Sequence, residues 1–213
     1  MKRTLPDLSL YLVLDPVLCG GAEGMIKTAL LAAKAGANCI QLRAPGWSTE
    51  EVIRCGKELK SVLDPLGSAL IVNNDAIAAR EIGATGLHVG QSDISPAEAR
   101  KILGNAALIG LSITSEGDIP SLDPTCVDYA GVGPVWTTST KKDAAAAMGL
   151  ERFKRIVKLL SVPSVAIGGI GLREARELNG SGAAGIAVVS AICGKPDVAL
   201  ATKSLREAFT LSV

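Results

Sequence analysis

Eight short, mostly apolar runs punctuate the chain, at residues 9–15 (SLYLVLD), 39–43 (CIQLR), 69–73 (ALIVN), 86–90 (GLHVG), 108–112 (LIGLS), 129–133 (YAGVG), 164–169 (SVAIGG) and 185–190 (GIAVVS). They are rich in Val, Ile and Leu and largely lack the alternation of a half-exposed strand, so they read as strands buried on both faces. Between them, apolar residues recur at helical spacing: Ile26, Ala29, Leu30 and Ala33 mark a helix that stops at Gly36. Ser48 stands three residues before Glu51, and Ser95-Pro96 precedes Glu98, two helix starts of the capping-box kind. Further helices are expected from Asp75 to Ile82, over 149–160, over 172–179 and over 196–209. The exception is 114–126, where Gly117, Pro120 and Pro124 predict a broken turn in place of a helix.

Strand and helix alternate evenly, without a linker or a break in composition. That count defines an α/β chain: a (β/α)8 TIM barrel forming one domain over 1–213, or failing that a doubly wound sheet. The barrel is preferred because polar residues gather directly after strands two to eight, and in a barrel those strand ends converge on one face.

Composition narrows the picture. At 48% hydrophobic but only 3% aromatic, the core must be built from Ala, Val, Ile and Leu. A net charge of +1, with no basic stripe interleaved with aromatics, argues against nucleic acid. No apolar run approaches the roughly 18 residues of a membrane span, and 8–14 reads better as a strand than as a signal peptide. Five scattered cysteines without a C-x-x-C pair suit reduced thiols and a cytoplasmic protein. One histidine, His88, supports neither a zinc site nor a His-activated nucleophile, and it reads as a structural residue near a strand end. The oligomeric state is left open; a homo-oligomer is compatible with the sequence.

The chemistry concentrates in 128–142 (DYAGVGPVWTTSTKK), where a small-residue strand ends in Gly133-Pro134 and is followed by hydroxyls and two lysines. Hydroxyls and ammonium groups at a strand end are donors for an oxygen-rich anion. Gly168, Gly169 and Ser190 follow strands seven and eight, where barrels commonly hold phosphate on backbone N–H groups. A second half-site combines Arg43, Asn73, Asp93 and Ser112: one cation, one carboxylate and neutral donors, suited to another phosphate group with magnesium between it and Asp93.

With these residues assembled, the chain resembles the thiamine phosphate synthase family, sister to the thiazole tautomerases. The resemblance runs over nearly the whole length. It is carried by Gln41-Leu42-Arg43, Asn73, HVGQSD (88–93), GLS (110–112), DYAGVGP through TTSTKK, AIGGI (166–170) and AVVSAI (187–192). It implies a transferase that joins hydroxymethylpyrimidine diphosphate to thiazole phosphate and releases pyrophosphate through a dissociative step. It also implies that Thr138, Thr140, Gly168, Gly169 and Ser190 hold the thiazole phosphate and that Gln41 meets the pyrimidine. Arg43, Asn73, Ser112 and Lys141 would meet the pyrophosphate, and Asp93 with Asn74 would hold Mg2+.

Three positions depart from the family pattern. Pro45 stands where the family has a lysine, Asn74 where it has a second magnesium-binding aspartate, and Thr114 where a histidine is usual. The first two predict weak magnesium binding and keep a second reading open, a paralogue that binds thiazole phosphate or thiamine phosphate without efficient turnover. The third argues against tautomerase chemistry. Another phosphate-binding barrel enzyme would need an acid–base pair, for which Asp15 and Cys19 are the remaining candidates. The long connection 134–148 is expected to act as a lid.

Overall fold

Strands that are apolar on both faces need cover on both, and a sheet closed on itself supplies it with side chains inside and helices outside. The computed structural model describes residues 3–140 and 145–210. Its strands are β1 (Leu10–Val13), β2 (Cys39–Leu42), β3 (Ala69–Asn73), β4 (Gly86–Val89), β5 (Leu108–Ile113), β6 (Tyr129–Val132), β7 (Ser164–Ile167) and β8 (Gly185–Val188). They form a closed barrel in chain order. Every neighbouring pair is parallel, and β1 pairs with β8 through Leu12 and Val188, which rules out an open doubly wound sheet.

Around it lie α1 (Pro16–Cys19), α2 (Ala22–Lys34), α3 (Thr49–Leu63), α4 (Ala76–Ile82), α5 (Pro96–Leu103), α6 (Leu150–Leu159), α7 (Leu172–Glu177) and α8 (Val198–Thr210). Both capping boxes form, at Ser48 with Glu51 and at Ser95 with Glu98. Between β5 and β6 there is only a 3-10 turn, Glu116–Ser121, with Pro120 inside it, as the glycine and prolines predict. The sequence reading missed α1. Its signal is the Asp15-Pro16 pair: the carboxylate accepts from the N–H groups of Val17 and Leu18 at 3.0 and 2.9 Å, and proline takes the first helical position. Six strands (β1, β2, β4, β6, β7 and β8) stop one or two residues before the expected end, so Arg43, Gly90, Gly133, Gly168, Gly169 and Ser190 belong to the loops of one rim.

The core has two layers. Outward-facing Leu10, Leu12, Ile40, Leu42, Leu70 and Val72 pack under the helices. The barrel interior holds Tyr11, Val13, Cys39, Ala69, Ile71, Tyr129, Val165 and Ala187. Small side chains at Cys39, Ala69 and Ala187 leave room for two phenol rings whose centroids lie 6.0 Å apart. Below the barrel, Asp128 accepts from Arg3, Arg100 and the Ile109 N–H at 2.8–2.9 Å, an ionic anchor at the end opposite the rim loops.

Gly110 on β5 is a tight interior position. A Cβ there would overlap both the Tyr129 ring and His88 Nδ1. Gly110→Ala is therefore expected to destabilise the barrel by about 1–3 kcal/mol through overpacking. Urea unfolding measures it, and an unchanged midpoint would mean that the interior yields freely. Among the described residues no helix is long and apolar enough to cross a membrane.

Candidate active site

Side chains alternate along a strand, so Cys39, Gln41 and Arg43 follow one another inward and upward, as do Ala69, Ile71 and Asn73. The same parity brings His88, Ser112, Tyr11 and Tyr129 to the interior. Where the strands end, a cavity of about 600 Å³ opens. Gln41, Arg43, Asn73, Asn74, Asp93, Ser112, Thr138, Thr140, Gly168, Gly169 and Ser190 all line it. The sequence reading thus names residues from seven different strand ends that share one space. Lys141 lies outside the described residues, as does the middle of the expected lid.

One side of the cavity is a cup of small and hydroxyl-bearing residues. The N–H groups of Val135 and Trp136 donate to the carbonyls of Ile167 and Gly168 at 2.9 and 3.1 Å, which fastens the loop after β6 to the loop after β7. Thr138 and Thr140 are thereby brought beside Gly168 and Gly169. Both glycines have positive φ, 98° and 66°. A Cβ on Gly169 would press on the Thr137 carbonyl and on Trp136, so glycine is required there by conformation and by space. Neither glycine N–H finds an acceptor among the described residues, which leaves both for an oxyanion. The other end of the loop is pinned too, Met148 and Gly149 donating to Pro134 and Val135 at 2.9 Å. Lys195, an exposed cation on the rim beside Ser190, is a lining residue that the sequence reading did not name.

The opposite side carries the charge. Arg43 lines the cavity half-buried and makes no ion pair among the described residues. Asn73 Nδ2 donates to Asn74 Oδ1 at 2.8 Å, and Asn74 Nδ2 donates to Asp93 Oδ1 at 3.0 Å. The second Asp93 oxygen accepts from the Gly90 N–H at 2.7 Å. Asn74 has φ 63°, a left-handed conformation that asparagine and aspartate tolerate better than other side chains. The two residues expected to hold magnesium are therefore neighbours. A carboxylate and an amide are of the chemical type that magnesium takes, but the Asn74 amide now turns its Nδ2 to Asp93 and its Oδ1 to Asn73, so it must rotate to offer an ion its oxygen. Asp75 turns away, capping α4 through the Ala78 N–H and accepting from Thr49 Oγ1. Pro45 is exposed and is not part of the cavity wall.

The floor joins the two sides by a chain of polar contacts. Gln41 Nε2 donates to the Tyr11 hydroxyl at 2.7 Å, the Tyr11 and Tyr129 hydroxyls are 2.9 Å apart, and Tyr129 Oη lies 3.1 Å from His88 Nδ1. His88 Nε2 is 3.0 Å from Ser112 Oγ. Burial raises both phenols well above their ordinary range and lowers His88 to about 4, so all three groups are neutral near pH 7. The two tyrosines were not foreseen, although counting back in twos from Gly133 reaches Tyr129. His88, read from sequence as structural, faces the cavity.

Other candidates fall away on geometry. Thr114 Oγ1 and its N–H both bind Asp118 Oδ2 at 2.7 Å, so this hydroxyl is a loop fastener. Asp15 is a helix cap. A hydrogen bond to Cys193 lowers the Cys19 thiol to about 6, but Cys19 is not on the cavity wall. Trp47 and Trp136 pack against the core, the default for an aromatic near a barrel rim.

Backbone and hydroxyl donors on one wall, with a carboxylate and a guanidinium that has no ion-pair partner among the described residues on the other, describe a (β/α)8-barrel enzyme that handles phosphorylated small molecules. The comparisons with known proteins agree. The family model for thiamine monophosphate synthase matches residues 10–192. The thiamine-phosphate synthase of Laribacter hongkongensis is 42% identical over 205 residues, 96% of each chain. That of Azorhizobium caulinodans is 40% identical over 200 residues, 94% of each. The solved thiamine phosphate pyrophosphorylase from Pyrococcus furiosus superposes with a TM-score of 0.86 at 32% identity, covering 95% of this chain and 96% of its own. The chain belongs to the thiamine-phosphate synthase family.

Proposed function

We propose that the protein joins hydroxymethylpyrimidine diphosphate to thiazole phosphate, releasing pyrophosphate and forming thiamine phosphate. The observation that carries the reading is the pairing of two unlike anion sites across one cavity: the glycine–threonine–serine cup at β6–β8 and the Arg43–Asn73–Asp93 cluster at β2–β4. The cup suits the thiazole phosphate. The charged cluster, with Ser112, suits the diphosphate, a role the family resemblance extends to Lys141, and Gln41 on the floor suits the pyrimidine between them.

The bond from the pyrimidine methylene carbon to the diphosphate oxygen breaks with both electrons leaving on oxygen. The thiazole nitrogen then donates its lone pair to that carbon. No protein nucleophile is needed, so the side chains act by positioning the two reactants and by stabilising the charge that grows on the leaving oxygen. Arg43 supplies a fixed cation with planar donors. Asp93 and Asn74 would hold magnesium, which when bound neutralises diphosphate charge.

Asn74 offers magnesium a neutral oxygen where an aspartate would offer a charged one. Asn74→Asp should lower the magnesium needed for half-maximal turnover by about ten- to a hundredfold, the value of one charge-assisted contact. Pro45→Lys in the same chain should add a cation at the rim. The decisive assay follows thiamine phosphate formation by wild type and both variants over a magnesium titration. A second readout is independent of turnover. Asn74→Asp sets two carboxylates side by side, so its metal-free melting temperature should fall and magnesium should restore it. A wild type that binds thiazole phosphate but makes no product, with a double variant equally inactive, would support the binding paralogue instead.

A further inference from the structure

The floor of the cavity is a hydrogen-bond chain with one fixed donor, Gln41 Nε2, and passing one proton along from each member to the next gives the chain a direction. Gln41 Nε2 donates to Tyr11 Oη. A neutral phenol has one proton, and the Tyr11 proton is thereby free for the next oxygen, Tyr129, 2.9 Å away. Tyr129, having accepted, gives its own proton to His88 Nδ1 at 3.1 Å. A neutral imidazole that accepts at Nδ1 carries its proton on Nε2, and Nε2 faces Ser112 Oγ at 3.0 Å. Ser112 Oγ then accepts from His88, and its single proton is left for the cavity.

We propose that Tyr11, Tyr129 and His88 are positioning residues that form a one-way relay from Gln41 to Ser112 and hold the Ser112 hydroxyl as a donor to the departing diphosphate. Resting on the synthase reading for its substrate, the relay couples the two reactant sites: the group at the pyrimidine end fixes the polarity of the group at the leaving-group end. Without it, Ser112 could turn its proton back onto the imidazole and present a lone pair to an anion. The interior is built to keep the chain in line. Gly110 and Gly131 leave the space that His88 and Tyr129 occupy, and the His88 and Tyr129 ring centroids lie 5.5 Å apart.

Two measurements test it. The protein has a single histidine, so 15N NMR of the intact chain reports one imidazole without assignment. Nε2 is expected to carry the proton and Nδ1 none. The opposite tautomer would overturn the relay, and this readout stands whatever the substrates prove to be. The second is a kinetic cycle on Tyr129→Phe, Ser112→Ala and the double variant. Each single change should lower kcat by about 10- to 100-fold, with KM for thiazole phosphate unmoved. The double variant should be no slower than Ser112→Ala, because Tyr129 acts only through Ser112. Additive losses would make Tyr129 a packing residue and refute the proposal. Should Tyr129→Phe fail to fold, Tyr11→Phe cuts the same chain one link earlier and carries the same expectations.

Discussion

Arg43→Ala is expected to lower kcat by about 100- to 1000-fold, the loss typical of removing one preorganised donor from a developing oxyanion. Arg43 extends the inward row of β2, Cys39 then Gln41, onto the rim, and it lines the cavity half-buried. Among the described residues no carboxylate pairs with it, so its charge is available to an incoming anion. A surface arginine with no role would cost almost nothing on removal. Because the phosphate cup is built from other elements, KM for thiazole phosphate should stay near its wild-type value while kcat collapses. Arg43→Lys should fall between the two, since an ammonium keeps the charge but loses the bidentate fork. Steady-state kinetics with both substrates separates the cases, and an unchanged kcat in Arg43→Ala would remove this residue from the leaving-group site.

Much of the architecture was legible because a parallel barrel writes itself locally. Each strand is a short, mostly apolar run, two helix starts carry capping boxes, at Ser48 and Ser95, and the helix missing between β5 and β6 was announced by Gly117, Pro120 and Pro124. The polar rim was legible for the same reason, since Arg43, Asn73, Asp93 and Ser190 are out of place beside buried strands unless they face a site. What could not be read was the interior. Tyr11 sits in an uninterrupted run, SLYLVLD, where nothing in composition separates the residue pointing into the barrel from the leucines pointing at helices. Only strand register does so, through pairs such as Tyr11 with Cys39 and Val13 with Gln41. The relay to His88 is thus a property of closure: β1, β2, β4, β5 and β6 each contribute one member, and no two members are close in sequence. Asp15 shows the converse. Its position at a strand end was plain, but that its carboxylate is consumed by two N–H groups of α1 depends on a four-residue turn too short to leave a periodic signal.

Acid should weaken the fold through His88 by up to about 3 kcal/mol between pH 6.5 and pH 4. The imidazole is enclosed by Tyr129, Gly110, Gly131 and Ser112, and burial lowers its pKa from 6.5 to about 4. In the unfolded chain the ring takes up a proton as pH falls through its ordinary value, while the folded chain resists until about pH 4. The unfolded state therefore binds more protons throughout that interval, and stability drops as pH falls. Above pH 6.5 the contribution is complete, because both states hold a neutral ring. The shifted carboxylates Asp7, Glu98, Glu116, Asp118, Asp123 and Glu174 have pKa values lowered from ordinary values at or below 4.5, so most of their contribution is lost at more acid pH. Cys19, brought down to about 6 by Cys193, titrates within the interval but equally in wild type and variant. The comparison is urea unfolding of wild type and His88→Gln at neutral pH and at about pH 4.5, within the titration window of a buried neutral histidine. Glutamine cannot take up the proton, so the wild type should lose more stability than the variant over this step. Equal losses would show that the imidazole titrates alike in the folded and unfolded chains, and that the floor of the cavity is open to water down to His88.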